Sequence, residues 1–262
     1  MKSFNFKSAS NTKEAAKLVS SGRATFLAGG MTLLPAIKLR LAAYSDLINI
    51  KKIKGLSGIK VSSKSLRIGA TTTHAEVAAS KEVGKSIPSL AVLAEGIGDP
   101  QVRNRGTIGG SIANNDPAAD YPSACLALNA TIHTSKRKIP ADKFFKGMFE
   151  TDLKKGELIE SVEFEVPEKS SYAKFPNPAS RYAIVGVYVA KLKKEIRVAV
   201  TGVESFVFRC KKLEDALASN FSPSTIDNVT ISSKGFNSDI HASAEYRAHI
   251  IKVMAKKAVS SC

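Results

Sequence analysis

The sequence predicts an α+β protein with two mixed α/β units and a C-terminal unit, in which a sheet of three meandering strands is backed by a small helical bundle. Strand-like alternation and helical patterns follow one another through the first two-thirds of the chain, and two apolar strands followed by helices fill the rest. At 262 residues and 44% hydrophobic content, the chain can form two or three small domains. We place them at residues 1–55, 56–167 and 168–262.

The first unit is predicted to run strand–helix–strand–helix–strand. Phe4 and Phe6 alternate with polar residues as in a strand, and Asn11 with Glu14 forms a capping box for a helix through Val19. The remaining predicted elements are a strand at 24–27, a helix at 33–41 capped by Thr32 with Pro35 in its first turn, and a strand at 46–50.

The second and third units mix shorter elements. In the second unit, Thr73 and Glu76 form a capping box, and Gly96 and Gly98 end a helix. The predicted elements of this unit are strands at 66–68, 130–134 and 162–166 and helices from 73, at 87–94 and at 120–128. The predicted elements of the third unit are strands at 182–192 and 195–201 and helices at 213–218 and 244–259.

Cysteine and histidine usage limits the chemistry that the chain can perform alone. Three cysteines far apart argue against a disulfide framework and cannot supply the four thiolates of a typical iron–sulfur cluster. Four histidines without paired spacing do not indicate zinc, so we expect no metal site. Neither an eighteen-residue apolar run nor a secretory signal is evident, which predicts a cytoplasmic protein.

The formal net charge of +16 is compatible with a polyanionic partner or with acidic partner subunits. The lysines are scattered, the one tight cluster at 136–138 resembles a hairpin turn, and no basic–aromatic stripe occurs. Nucleic-acid binding is therefore not predicted. A peripheral contact with an anionic membrane or a membrane quinone remains a hypothesis.

Two glycine-rich segments carry the strongest functional signal. In the first, Gly29-Gly30 joins a strand to a helix, where backbone N–H groups and the Thr32 hydroxyl could bind a phosphate, although an ordinary tight turn explains the pattern equally well. The second runs from Arg105 to Pro117, with three glycines and two hydroxyls within seven residues, a pattern more typical of an anion-binding loop than of a plain turn. Neither segment matches the Rossmann or Walker A pattern. Together they suggest one elongated ligand that contains a diphosphate.

No residue pattern indicates acid–base catalysis. Asp120 could cap the helix that follows it or accept hydrogen bonds from a ribityl or ribose hydroxyl. His74 is expected to cap a helix or lie on the surface, and Cys125 to lie in the core. We therefore expect no catalytic residue, and we expect a cofactor to perform hydride or electron chemistry.

The two segments resemble those of the molybdopterin dehydrogenase FAD-binding family. The strings AGGMTLLP, from Ala28, and GDPQVRNRGTIGGS, from Gly98, are similar to the two FAD-pyrophosphate loops of that family. The similarity covers essentially the whole chain and includes ASRYAIV from Ala179 and AEYR from Ala244. It is strongest to the medium subunits of aerobic carbon monoxide dehydrogenases and xanthine dehydrogenase-type enzymes.

The resemblance implies a vanillyl-alcohol-oxidase-like (PCMH-type) FAD fold, with FAD between two α/β subdomains and a further C-terminal domain. By likeness, the pyrophosphate contacts are Ala28, Gly29, Gly30, Met31, Thr32, Thr107, Ile108, Gly109, Gly110 and Ser111. Asp120 corresponds to a residue at the ribityl or ribose part, and Tyr182 to a tyrosine beside the isoalloxazine. Ile159 and Lys174 correspond to flavin contacts in xanthine dehydrogenase-type relatives. Met31 stands where many relatives carry histidine or glutamine, and the pair Asn114-Asn115 also departs from several relatives.

The resemblance also implies partners and an activity. A large subunit would hold the molybdenum cofactor and a small subunit the [2Fe–2S] clusters, and the chain would pass their electrons through FAD to a terminal acceptor, in a dimer of heterotrimers. Two alternatives stay open: a stand-alone FAD reductase of the same fold, and a non-catalytic basic adaptor. The substrate and the acceptor are not predicted.

Overall fold

The computed structural model describes residues 2–20 and 22–262 and contains three consecutive units of mixed helix and strand. The first unit contains β1 (Asn5–Ser8), α1 (Thr12–Ser20), β2 (Ala24–Leu27), α2 (Leu33–Lys38) and β3 (Asp46–Asn49). Its strands form a parallel sheet in the order β1-β3-β2. The predicted helix at 33–41 is too long, because the chain leaves the helix after Lys38 and Arg40 adopts a positive φ of 61°.

The second unit places several short helices against an antiparallel sheet with strand order β4-β5-β10-β6-β7. Its first elements are β4 (Ile59–Val61), β5 (Ser65–Gly69), α3 (His74–Ala79), α4 (Lys81–Ser86), α5 (Pro88–Glu95), α6 (Pro100–Arg105), α7 (Ile108–Asn114) and α8 (Tyr121–Ala127). Its remaining strands are β6 (Thr131–Thr134), β7 (Lys138–Pro140), β8 (Phe145–Gly147), β9 (Glu150–Thr151) and β10 (Ile159–Glu165).

Two features of the second unit agree with the predictions from sequence, and two do not. The capping box of Thr73 and Glu76 is present at the start of α3, and the turn between β6 and β7 is a hairpin. The reading of 105–117 as a loop is wrong, because α7 occupies most of it despite its two glycines. The expected surface position of His74 is also wrong, since its side chain is buried.

The third unit is a four-stranded antiparallel sheet covered by helices. It contains β11 (Lys169–Pro176), β12 (Ala183–Lys191), β13 (Ile196–Thr201), β14 (Phe208–Arg209), α9 (Lys211–Ser219) and α10 (Ala244–Ser260). The strands follow each other in order, so the predicted three-stranded meander is extended by the two-residue strand β14. No helix within the described residues is long and apolar enough to cross a membrane.

Strand β12 joins the third unit to the second. Its first eight residues are all buried, because both faces of the strand are covered. Tyr188 and Ala190 belong to the apolar core of the second unit, whereas Val187 and Val189 pack in a separate core with α10 residues such as Ile251. The C-terminal unit is therefore docked on the second unit through a shared core.

Candidate functional site

The first glycine-rich segment lies between β2 and α2 and is shaped by close backbone contact. Gly30 adopts a φ of +79°, which favours glycine. A Cβ added to Gly29 would lie 2.0 Å from the carbonyl oxygen of Arg105, so a larger residue cannot fit without displacing that backbone. Thr32 occupies the predicted N-cap position of α2, but its side chain makes no capping hydrogen bond. Met31 and Thr32 are both exposed beside this contact.

The second glycine-rich segment contains the start of α7 and is fixed from two sides. The Thr107 Oγ1 atom caps the helix by accepting a hydrogen bond from the Gly110 N–H at 3.2 Å. Behind it, the Gly109 N–H donates to the Ala70 carbonyl at 2.9 Å, and a Cβ at Gly109 would lie 2.6 Å from the Ala70 Cβ. Gly110 is exposed, so the start of α7 faces solvent on this side.

The structure brings the two predicted segments together. Gly29 touches the backbone of Arg105 and Gly106, directly before the start of α7. The N-termini of α2 and α7 therefore lie on either side of one backbone contact, at the seam between the first and second units. In α7, the N–H groups of Ile108, Gly109 and Gly110 already donate to Thr72 O, Ala70 O and the Thr107 Oγ1 atom. The N–H groups of Met31 and Thr32, ahead of α2, make no hydrogen bond within the described residues. Such unpaired N–H groups at the start of a helix favour anions. This seam has the chemistry of a diphosphate site.

Asp120 and Lys174 lie together, 54 positions apart in sequence. The Lys174 Nζ atom is 3.1 Å from Asp120 Oδ1, and the Tyr172 hydroxyl donates a hydrogen bond to the same oxygen. Burial raises the pKa of the Asp120 carboxyl, while Lys174 and Tyr172 act in the opposite direction. Asp120 makes no capping hydrogen bond to α8, so the capping alternative is wrong.

Tyr182 lies on an irregular turn beside this ion pair. Its side chain is 43% exposed, and burial together with the negative charges of Asp116 and Asp120 raises the pKa of its hydroxyl. The turn is held by Lys174, whose Nζ atom donates to the carbonyls of Arg181 at 3.1 Å and Gly96 at 2.8 Å. One lysine therefore links the Tyr182 turn to Asp120 and to the end of α5.

Ile159 takes a different position from the other predicted contacts. Its side chain is 3% exposed and belongs to the core of the second unit. The next residue, Glu160, accepts a hydrogen bond from the Ala70 N–H at 2.9 Å, and Ala70 in turn supports Gly109.

His74, Tyr121 and Asn115 lie at the second segment, although none of them was predicted as a ligand contact. A Cβ at Gly106 would lie 2.6 Å from His74 Nε2, and the His74 ring centroid is 5.3 Å from that of Tyr121. Burial lowers the pKa of His74 to about 4, and the positive charge of Arg103 acts in the same direction. Asn115 adopts a positive φ of 45° and donates from Nδ2 to Gly147 O and Glu150 O, both at 2.8 Å.

These features fit a bound FAD better than an ordinary turn. The two glycine-rich segments meet so closely at the seam that a Cβ added to Gly29 would displace the backbone, and we call this pair of segments the cradle. The diphosphate is the anionic part of FAD and suits such a site. Within the described residues, five buried side-chain polar atoms lack a hydrogen-bond partner. Four of them surround the second segment, on Thr71, His74, Asn115 and Tyr121. Such a concentration is typical of a functional site.

Comparison with known proteins identifies the fold and the cofactor. Residues 2–168 match a family described as the FAD binding domain in molybdopterin dehydrogenase, and residues 170–262 match the CO dehydrogenase flavoprotein C-terminal domain. The chain is therefore an FAD-binding flavoprotein with a vanillyl-alcohol-oxidase-like α+β fold. It belongs to the molybdopterin dehydrogenase FAD-binding family, whose members are oxidoreductase subunits of molybdenum hydroxylases of the carbon monoxide and xanthine dehydrogenase type.

Named relatives cover nearly the whole chain. The glyceraldehyde dehydrogenase medium chain of Sulfolobus acidocaldarius is 35% identical over 97% of this chain and 96% of its own length. The carbon monoxide dehydrogenase medium chain of Hydrogenophaga pseudoflava is 38% identical over 71% of this chain and 69% of its own. A reconstituted CO dehydrogenase structure from Oligotropha carboxidovorans superimposes with a TM-score of 0.92 at 26% identity, covering 99% of this chain and 97% of its own.

Proposed function

We propose that this chain is the electron-transferring FAD subunit of a molybdenum hydroxylase complex. Its proposed partners are a large subunit with the molybdenum cofactor and a small subunit with [2Fe–2S] clusters. When bound, FAD would supply the redox chemistry that connects one-electron donors to a terminal acceptor, and the residues of this chain would hold and orient it. The contact of Gly29 with the Arg105 backbone carries the proposal, because it joins both glycine-rich segments into one cradle.

The chain's own residues would bind and orient the flavin. We assign the pyrophosphate to the two segments, whose contacts would be Ala28, Gly29, Gly30, Met31, Thr32, Thr107, Ile108, Gly109, Gly110 and Ser111. In the first segment, backbone N–H groups would make the contacts, so Met31 could replace a polar residue without loss of the cradle. We also propose that the chain is divided into three domains, at residues 1–55, 56–167 and 168–262.

Four further residues would face the rest of the cofactor. Asp120, held by Lys174 and Tyr172, offers carboxylate oxygens to the ribityl or ribose hydroxyls. Tyr182 is the proposed neighbour of the isoalloxazine, since its ring is partly exposed beside Asp116 and Asp120. Ile159 would contribute from the core of the second unit, one residue before Glu160, whose carbonyl accepts the hydrogen bond from the Ala70 N–H.

We also propose how the complex assembles and where in the cell it is located. Two of the relatives are named as medium chains, which supports a multi-subunit complex, and we propose a dimer of heterotrimers. Free thiols, two of them buried, suit a reducing cytoplasm. The charge of +16 suits acidic partner subunits or a peripheral contact with the inner face of the membrane near a quinone acceptor.

Isolation of the whole complex tests this function. The tagged chain would be purified from cells that make its partners, and flavin, iron and molybdenum would be quantified. Glyceraldehyde, carbon monoxide and xanthine would then be added separately without oxygen. We expect both metals to co-elute with flavin, and one substrate to bleach the flavin absorbance. A chain that elutes alone and is reduced directly by NADPH would instead be a stand-alone reductase.

Two glycine-to-alanine variants test whether the glycine-rich segments bind the flavin. Gly29→Ala should give a complex that retains iron and molybdenum but loses most of its flavin. Gly84→Ala is the control, because a Cβ at Gly84 meets nothing within 4 Å. Equal flavin content in the two variant complexes would contradict the assignment of the cradle.

A further inference from the structure

A buried arginine in the C-terminal unit holds two backbone carbonyls together. Arg247, on α10, is 4% exposed, and its Nη1 atom donates to Ile184 O and Gly202 O, both at 2.7 Å. Its Nη2 atom donates to Asp239 Oδ2 at 2.6 Å. The guanidinium therefore connects the start of β12 to the end of β13 and is itself oriented by a carboxylate.

The two carbonyls mark an unusually close approach of the strands. Gly202 has a φ of +86°, and a Cβ there would lie 2.5 Å from the Ala183 carbonyl oxygen and 2.7 Å from that of Ile184. The Arg247 Nη1 atom donates to the carbonyl oxygens of both Ile184 and Gly202, so one guanidinium nitrogen joins the two strand ends at the point where they approach.

The opposite side of this junction holds the segment that leads to Asp120. The Gly202 N–H donates to Pro117 O at 2.8 Å, and the Ala183 N–H to Ala118 O at 3.3 Å. The Thr201 hydroxyl lies within hydrogen-bond distance of two carbonyl oxygens, Pro117 O at 3.0 Å and Ala119 O at 2.8 Å, and shares its one proton between them. The hydrogen bonds that hold residues 117–119 therefore come from the same two strand ends that Arg247 joins.

We propose that Arg247 is a positioning residue for the flavin site, acting through Gly202 and Thr201 on residues 117–119 and through Ile184 on the Tyr182 turn. The inference rests on the proposed function, because residues 117–119 lead into Asp120, and Asp120 and Tyr182 are proposed flavin contacts. Arg247 itself touches none of them and acts only through backbone geometry. The planar fork reaches two carbonyls and a carboxylate at once, a set that the single ammonium of lysine cannot reproduce.

Arg247→Lys in the full-length chain tests the inference. The matched control is Arg209→Lys, since Arg209 is also largely buried in the C-terminal unit but pairs with Glu195 and Glu214. The measurements are the FAD dissociation constant, the flavin midpoint potential, the visible circular dichroism of the flavin and the thermal midpoint. We expect Arg247→Lys to weaken FAD binding about tenfold and to change the potential and dichroism.

Arg209→Lys should lower the thermal midpoint to a similar extent and leave all flavin properties at wild-type values. If both variants lose stability alike and bind FAD as the wild type does, Arg247 is merely structural and the inference is overturned. Wild-type protein that does not bind FAD at all would overturn the proposed function as well, which separates the two failures.

Thr201 supplies a second test should Arg247→Lys fail to fold. Thr201→Val removes the hydroxyl that bridges Pro117 O and Ala119 O while keeping the side-chain shape, and Thr201→Ser keeps the hydroxyl. We expect the valine variant to weaken FAD binding and alter the flavin dichroism, and the serine variant to restore both. Identical flavin properties in the two variants would contradict the coupling.

Discussion

At the residue scale, the sequence identified individual candidate residues of the site but not the side chains that they contact. Asp120 and Lys174 were both proposed from the resemblance, but their ion pair joins the start of α8 to β11 and carries no local sequence signal. Tyr172, which completes the cluster, was not identified, because one polar atom on an otherwise apolar strand side chain is an ordinary core feature. His74 was predicted at a helix start, and that is where it lies, but the direction of its side chain depends on tertiary packing.

Removal of one member of the buried pair Asp120–Lys174 should lower the free energy of unfolding strongly, because the other charge is then buried without its partner. Asp120→Asn leaves the Lys174 ammonium, which is 11% exposed, without a charged partner, so the free energy of unfolding should fall by about 3 kcal/mol. Lys174→Met should cost a similar amount, and the double variant less than the sum. Urea unfolding measures all three.

A surface pair provides the control for this cycle. Glu168 and Lys191 are 3.3 Å apart but about half exposed, so Glu168→Gln should change the free energy of unfolding by less than about 0.5 kcal/mol. Strict additivity of the two buried substitutions would show that Asp120 and Lys174 do not interact energetically.

His74 should make the protein sensitive to acid. Its folded pKa is about 4, whereas an unfolded histidine titrates near about 6.5, so between these values only the unfolded chain binds the proton. Stability is therefore lost as pH falls through this window. The advantage of wild type over His74→Gln should shrink by about 2 kcal/mol between about pH 7.5 and pH 5. Urea unfolding at both pH values measures it.

His241→Gln is the control for this pH effect, because His241 is exposed. That variant should keep the pH dependence of the wild type. A wild-type advantage over His74→Gln that is the same at both pH values would mean that His74 does not titrate as the buried environment requires.

At the element scale, elements with strong local signals were predicted and those supported by tertiary contact were not. The capping box of α3 and the apolar strands β12 and β13 were recognised to within one or two residues. Helix α7 was taken for a loop, because Gly109 and Gly110 have poor helix propensity. Ala70 and the Thr107 cap stabilise it instead, and the sequence around 105–117 contains no signal for the Ala70 contact.

The cap of α7 should affect both stability and cofactor binding. Thr107→Ala removes the acceptor of the Gly110 N–H and should lower the free energy of unfolding by about 1 kcal/mol. Because Gly110 belongs to the proposed cradle, FAD binding should also weaken measurably in a fluorescence titration.

Ser80→Ala is the matched control. Ser80 caps α4 in the same way, by accepting a hydrogen bond from the Val83 N–H at 3.2 Å, and α4 lies outside the assigned contacts. It should cost a similar free energy and leave FAD affinity unchanged. Equal FAD affinity in the Thr107 and Ser80 variants would show that α7 does not shape the cofactor site.

At the scale of the whole molecule, the fold class followed from the alternation of strand and helix patterns, but the joining of the units did not. The predicted separate C-terminal unit shares its core with the second unit through Tyr188 and Ala190. The seam between the first and second units likewise depends on Gly29 meeting Arg105, two residues 76 positions apart. The glycine-rich strings marked both sides of that seam, and only the tertiary structure shows that they touch.

The central claim is that this seam holds FAD, and cofactor retention tests it most directly. The purified chain would be mixed with FAD and desalted, and its visible absorption recorded beside those of Gly29→Ala and Gly84→Ala. Flavin bands that stay with the wild type and Gly84→Ala but are lost from Gly29→Ala are the predicted result. Bands retained equally by all three proteins, or by none of them, would contradict the assignment of the cofactor to this seam.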